Sequence, residues 1–110
     1  MKVIKSEDNL VVFSNGLQLI GDGYEDCCAY NYLDFEQLPV GTELYDMGVE
    51  EFCSHITIKE DGFIIKDIEG TPKWIQARSS QNGYYCNLTD LIVKMNNTEK
   101  KFNTFSGEIC

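Results

Sequence analysis

Apolar residues recur along this chain in short runs, and turn-forming residues separate the runs. Asn9–Ser14 (NLVVFS) and Leu17–Ile20 flank Asn15-Gly16. Asn and Gly both accept positive φ, so this pattern predicts a β-hairpin. Gly21-Asp22-Gly23 then breaks the second strand or carries it through a bulge. Ser54–Lys59 (SHITIK) alternates, which puts His55, Thr57 and Lys59 on one strand face and turns Ile56 and Ile58 inward. Glu60-Asp61-Gly62 supplies a turn, and Phe63–Ile68 returns as the partner strand. Gly70-Thr71-Pro72 is a further turn, because Pro ends ladder pairing. Lys73–Arg78 follows as a strand with Trp74, Gln76 and Arg78 on one side. Ser79–Gly83 is expected to turn the chain, with strands over Tyr84–Leu88 and Leu91–Met95. Asn96–Lys101 reads as a polar loop, and Phe102–Cys110 as a last strand or a fraying tail.

Helical spacing is confined to Tyr30–Leu38, where Tyr32, Phe35 and Leu38 recur over two turns before Pro39 and Gly41. Thr42–Phe52 has room for another helical turn but contains Gly48 and lacks a clear apolar stripe. No repeat, linker or low-complexity tract divides the chain, so residues 1–110 are expected to form a single β-rich domain. The fold class expected is mainly β (α+β): an antiparallel meander sheet or small barrel with one short helix.

Composition adds that a core is affordable. Apolar residues make up 43% of the 110 positions, enough to exclude a disordered chain. Apolar runs such as Leu10–Phe13 are far too short for a membrane span. The start, Met1–Asp8, shows no long apolar leader segment before it turns acidic at Glu7-Asp8. The expected location is therefore the cytoplasm of a bacterial host cell, with no membrane partner.

Charge changes the picture more. The net charge is −9, and residues 1–54 carry all of it, with 11 acidic and 2 basic side chains. Residues 55–110 hold 7 of each sign. Between Lys5 and Lys59 there is no Lys or Arg. Such a field repels phosphate backbones, which disfavours direct nucleic-acid binding. It attracts basic partners and speeds their encounter. An acidic cluster runs through Asp22, Glu25, Asp26, Asp34 and Glu36. Its spacing does not match a calcium loop.

Candidate chemistry is sparse. Five cysteines (Cys27, Cys28, Cys53, Cys86, Cys110) form no even, patterned disulfide set. Adjacent Cys27 and Cys28 point to opposite faces of a strand, and buried thiols mostly act as small apolar groups. Cys53 and His55 stand one residue apart, which is not a zinc-knuckle spacing. The single histidine, His55, sits in no nucleophile motif. No cofactor, metal site or catalytic residue is expected, and the chain is read as a non-enzyme. In Ser80–Tyr85 (SQNGYY), Asn82-Gly83 is a turn pair, and Tyr84 and Tyr85 leave it on opposite faces. A tyrosine at the sheet surface is a good contact group.

At Asp26-Cys27-Cys28 and at Ser80-Gln81-Asn82-Gly83-Tyr84-Tyr85 the chain resembles a DUF7448-like family of small bacterial, prophage and phage proteins. That family shows a strand ending in Asp-Cys-Cys, a short helical segment, and a hairpin closing on Ser-Asn-Gly-Tyr-Tyr. The resemblance spans about residues 9–95. It departs at Gln81, at Cys86 and over residues 39–53. It implies no enzyme activity, and it implies a phage or mobile-element setting in which small acidic proteins often inhibit host or defence proteins.

The resulting expectation is an acidic binding protein that docks an acidic face on a basic protein surface. The residues expected to carry it are Asp22, Glu25, Asp26, Asp34, Glu36, Asn82, Tyr84 and Tyr85. A homodimer is compatible with the sequence, which leaves the oligomeric state open. One alternative is a module that binds or sequesters a nucleotide signal through Lys59, Lys66, Lys73 and Arg78. Another is a cysteine- or metal-dependent enzyme using Cys27, Cys28 or Cys86.

Overall fold

The computed structural model describes the backbone of every residue except 24, 27–28, 60–61, 82–87, 107 and 110, and the side chains of residues 1–22, 32–59, 62–78 and 89–102. Among the described residues the chain forms eleven strands and one short helix. The first sheet contains β1 (Val3–Glu7), β2 (Leu10–Phe13), β3 (Gln18–Gly23), β9 (Leu88–Met95) and β10 (Thr98–Ser106), in that spatial order. The second contains β4 (Glu25–Asp26), β5 (Ala29–Asp34), β8 (Pro72–Gln81), β7 (Gly62–Lys66) and β6 (Thr57–Lys59), again in spatial order. All these pairs are antiparallel. The exception in the fold is β11 (Glu108–Ile109), which pairs in parallel with Arg78 and Ser79 of β8. The architecture is mainly β with one short helix, and the sheets do not close into a barrel.

The turns follow from local chemistry. Phe13 donates its N–H to the Leu17 carbonyl at 2.8 Å, and Gly16 donates to the Phe13 carbonyl at 3.0 Å. The loop between is Ser14-Asn15-Gly16, with Gly16 at φ 95°. That is the three-residue hairpin in which a left-handed residue closes the turn. Asn9 (φ 66°) and Asn96 (φ 53°) hold the left-handed position in the β1–β2 and β9–β10 turns. Asn tolerates this region better than most residues. The Gly21-Asp22-Gly23 stretch is carried through β3 in regular register, opposite Leu91, Asp90 and Thr89.

Alternation builds the core. Val11 and Phe13, Leu91 and Val93, Ile75 and Ala77 are buried, while Trp74, Gln76 and Arg78 lie half-buried on the opposite face of β8. One apolar cluster joins these first-sheet residues to Leu33, Phe63, Ile65 and Ile75 of the second sheet. Gly62 permits the tight β7–β8 approach. It has φ 154°, and a Cβ there would overlap the Ile75 carbonyl oxygen.

Several sequence expectations are corrected. Tyr30–Leu38 is not helical: β5 runs to Asp34, paired residue by residue with Gln81–Gln76 of β8. Leu33 and Phe35 are both buried, a period of two, and the Phe35–Leu38 spacing belongs to a turn closed by a Leu38 N–H to Phe35 carbonyl bond of 2.9 Å. The helix, α1, is instead Val49–His55, with Gly48 at its N-cap. Only Val49 and Phe52 are buried on it, two positions too few to show as a stripe. Phe52 fixes it in place by packing on Phe13, with ring centroids 6.4 Å apart. His55 therefore ends a helix, and Ile58 is 47% exposed rather than inward, because the three residues of β6 form the sheet edge. Ser79–Gln81 continue β8, so no turn begins at Ser79. Thr98–Lys101 belong to β10, paired with Met95–Ile92.

Candidate functional site

Asn9 bonds to both sheets. Its backbone carbonyl accepts from Gly21 of β3 at 2.9 Å. Its N–H donates to the Leu33 carbonyl of β5, and its Oδ1 accepts from the Leu33 N–H at 2.8 Å. Gly21 leaves the space this needs, since a Cβ there would overlap Asn9 Oδ1. The β1–β2 turn is thereby held beside the end of β5, and Glu7 and Asp8 come next to Asp34 and Glu36. Together with Ser6 and the exposed Val40 they line an open groove of about 440 Å3.

The structure divides the predicted acidic residues. Asp34 Oδ2 accepts from Arg78 Nε at 2.7 Å, a diagonal pair across β5 and β8, and Oδ1 accepts from the Glu36 N–H at 3.0 Å. Its charge is matched by an arginine rather than offered outward. Asp22 stands opposite Asp90 on β9, and Lys101 Nζ lies 3.9 Å from Asp22 and 3.3 Å from Asp90. Glu25 and Asp26 form β4, paired with Tyr30 and Ala29, at the opposite end of β5 from Asp34. Their side chains lie outside the described residues, as do Asn82, Tyr84 and Tyr85 altogether. Of the three acids whose side chains are described, Asp34 and Glu36 line the groove and Asp22 does not.

Glu36 is exposed, and its groove partners Glu7 and Asp8 were not singled out in the sequence. All nine Lys and Arg residues fall among the described residues, yet Glu7, Asp8 and Glu36 form no ion pair with any of them. The sequence signal was the adjacency of Glu7 and Asp8. What it lacked was the Asn9–Leu33 contact that brings them to Glu36.

A second, larger cleft of about 850 Å3 lies between residues 45–47, α1, β7 and the 67–70 turn. Tyr45 and Ile68 line it as exposed apolar groups, with Asp46, Glu51 and Glu69 around them. It falls partly in the region where sequence motifs were weakest.

The proposed nucleotide-binding cations do not converge. Lys73 sits 3.9 Å from Asp67 and Arg78 is engaged with Asp34. Lys66, Lys73 and Arg78 border three different depressions. Among the described residues no group of three or more His, Cys, Asp or Glu is placed to hold a metal ion. Cys53 is half-buried; burial pushes its thiol above the ordinary value, opposed by Lys100 and reinforced by Glu50. A raised thiol is a weak nucleophile near neutral pH. Cys27, Cys28 and Cys86 lie outside the described residues. No helix among the described residues is long and apolar enough to cross a membrane. Comparison with protein-family models, curated proteins and solved structures gave no match.

Proposed function

We propose that this protein is a binding module, not a catalyst, that docks an acidic face on a basic surface of a partner protein. The observation that carries the reading is the groove in which Glu7, Asp8 and Glu36 stand together without a cation of their own. Carboxylates left unmatched on a folded surface gain most from a partner's Lys or Arg, and their field raises the encounter rate. The groove also offers Val40, 63% exposed, as an apolar contact beside the acids. Asp34, paired with Arg78, lines the same groove. The Asp-Cys-Cys and Asn-Gly-Tyr-Tyr resemblance supports a phage or prophage setting. In that setting the partner is a host or defence protein in the bacterial cytoplasm, and binding inhibits it.

The test is affinity capture of basic proteins from bacterial lysate by the wild type and by a Glu7→Lys/Glu36→Lys variant. Capture is expected to fall by at least about tenfold between 50 and 500 mM NaCl, and by a similar factor in the variant at low salt. Capture that is unchanged by both salt and charge reversal would remove the proposal.

A further inference from the structure

The larger cleft sets two exposed large apolar side chains among acids, where the acidic groove has one. Its walls come from elements far apart in sequence and are held by hydrogen bonds. Asn15 Nδ2 donates to Asp46 Oδ1 at 2.8 Å and to the Met47 carbonyl at 3.0 Å, which pins the 45–47 wall to the β2–β3 hairpin. The opposite wall is the 67–70 turn. Asp67 Oδ1 accepts from the N–H groups of Glu69 and Thr71, each at 2.9 Å, and the Ile68 N–H donates to the Glu43 carbonyl at 2.9 Å. Both walls are therefore formed before any partner arrives, which lowers the ordering cost of binding.

Five large apolar side chains are substantially exposed among the described residues: Ile4, Val40, Tyr45, Ile58 and Ile68. Tyr45 (65% exposed) and Ile68 (38%) both line this cleft, and Val40 borders the depression on the other side of the same turn. Two of the five thus share one concavity, and neighbouring exposed apolar groups mark a contact site more than single ones do. The rim is acidic. Asp46, Glu51 and Glu69 face a single opposing cation, Lys66, while Asp67 is already matched by Lys73 at 3.9 Å.

We infer that this cleft seats a short basic segment of a partner protein in which an apolar side chain lies between cations. The apolar side chain fills the space between Tyr45 and Ile68. Flanking Lys or Arg groups meet Asp46 and Glu51 on one side and Glu69 on the other. The inference rests on the reading of the protein as a binder of basic partners, and it specifies where a segment of the partner is held and what it must contain.

The experiment is an amide-shift NMR titration of the 15N-labelled protein with three capped synthetic pentapeptides. One alternates arginine with leucine, one arginine with glycine, and one glutamate with leucine. The arginine–leucine peptide is expected to shift amides at residues 45–47, 51–57 and 64–70. It is expected to bind about tenfold more tightly than the arginine–glycine peptide, the effect of one buried apolar anchor. The glutamate–leucine peptide is expected not to bind. Ile68→Ser and Glu69→Lys, both at exposed turn positions, are each expected to weaken the arginine–leucine peptide at least about fivefold, with circular dichroism unchanged. Shifts confined to the Glu7, Asp8 and Glu36 groove would overturn this inference while leaving the acidic-face reading in place. Equal binding of the acidic peptide, or no shift at millimolar arginine–leucine peptide, would also overturn it; the lysate capture above decides the broader reading separately.

Discussion

Asn9 does three jobs with one side chain and one backbone unit. It takes the left-handed turn position (φ 66°), accepts from Gly21, and exchanges two hydrogen bonds with Leu33. Each of these needs a different property: tolerance of positive φ, a backbone carbonyl that accepts, and a short side-chain acceptor. Asn9→Gly keeps the backbone freedom and removes the Oδ1 acceptor, leaving the Leu33 N–H without that partner. The expected cost is about 1–2 kcal/mol in urea unfolding. Gly21→Ala is expected to cost about 1–3 kcal/mol by overlap with Asn9 Oδ1. Because the clash partner is the same side chain, the alanine should cost less in the Asn9→Gly background. Strictly additive penalties would show that Asn9 and Gly21 do not act on one another.

At the scale of elements, α1 depends on what it packs against rather than on its own propensity. It has seven residues and no side-chain N-cap bond, so it is too short to persist alone. Glu50 and Glu51 in the first turn favour its dipole, but the anchor is Phe52, fully buried against Phe13. Phe52→Ala is expected to lower unfolding free energy by about 3–5 kcal/mol. That is a large share of the ~5–15 kcal/mol typical of small domains. Since α1 forms one wall of the larger cleft, the same variant should also lose amide protection over residues 49–55 in hydrogen exchange. A loss under about 1 kcal/mol would mean that the helix docks by other contacts. In contrast, β5 forms against its local helical spacing, because β4 and β8 pair with it on both sides.

Across the whole molecule, the strand order preserves the charge asymmetry of the chain. In the first sheet β1, β2 and β3 lie together, and β9 and β10 continue beyond them. In the second, β4 and β5 lie together, followed by β8, β7 and β6. The acidic first half and the neutral second half therefore meet along two seams, β3 with β9 and β5 with β8. Cations from the second half act at those seams: Lys101 on Asp22 and Arg78 on Asp34. The acids nearest the seams are matched, and those in the β1–β2 turn and after β5 are left unmatched. A net charge of −9 still repels itself. Raising NaCl from about 10 to 150 mM shortens the Debye length from roughly 30 to 8 Å, and the melting temperature is expected to rise by a few degrees. A falling melting temperature would mean that the seam ion pairs outweigh the general repulsion.

The sequence by itself determined the features that arise within a few residues. Asn15-Gly16 set a hairpin, the alternation of Trp74, Ile75, Gln76, Ala77 and Arg78 set the two faces of β8, and the count of acids set the sign of the surface. It also determined that the chain is mainly β with one short helix, though it placed that helix over Tyr30–Leu38 instead of Val49–His55. Spacing over two turns fits a strand followed by a turn as well as it fits a helix, so only pairing with β8 settled that segment. The candidate site was legible only in part for the same reason. Glu36 and Asp34 were visible as acids, but whether a carboxylate stays unmatched depends on which strand lies beside it. Arg78 reaches Asp34 across 44 positions of sequence. Glu7 and Asp8 share a groove with Glu36 through tertiary bonds such as that of Asn9 to Leu33, 24 positions away. Side-chain periodicity and turn chemistry are local, whereas strand adjacency is not, and it was strand adjacency that decided where the working surface lies.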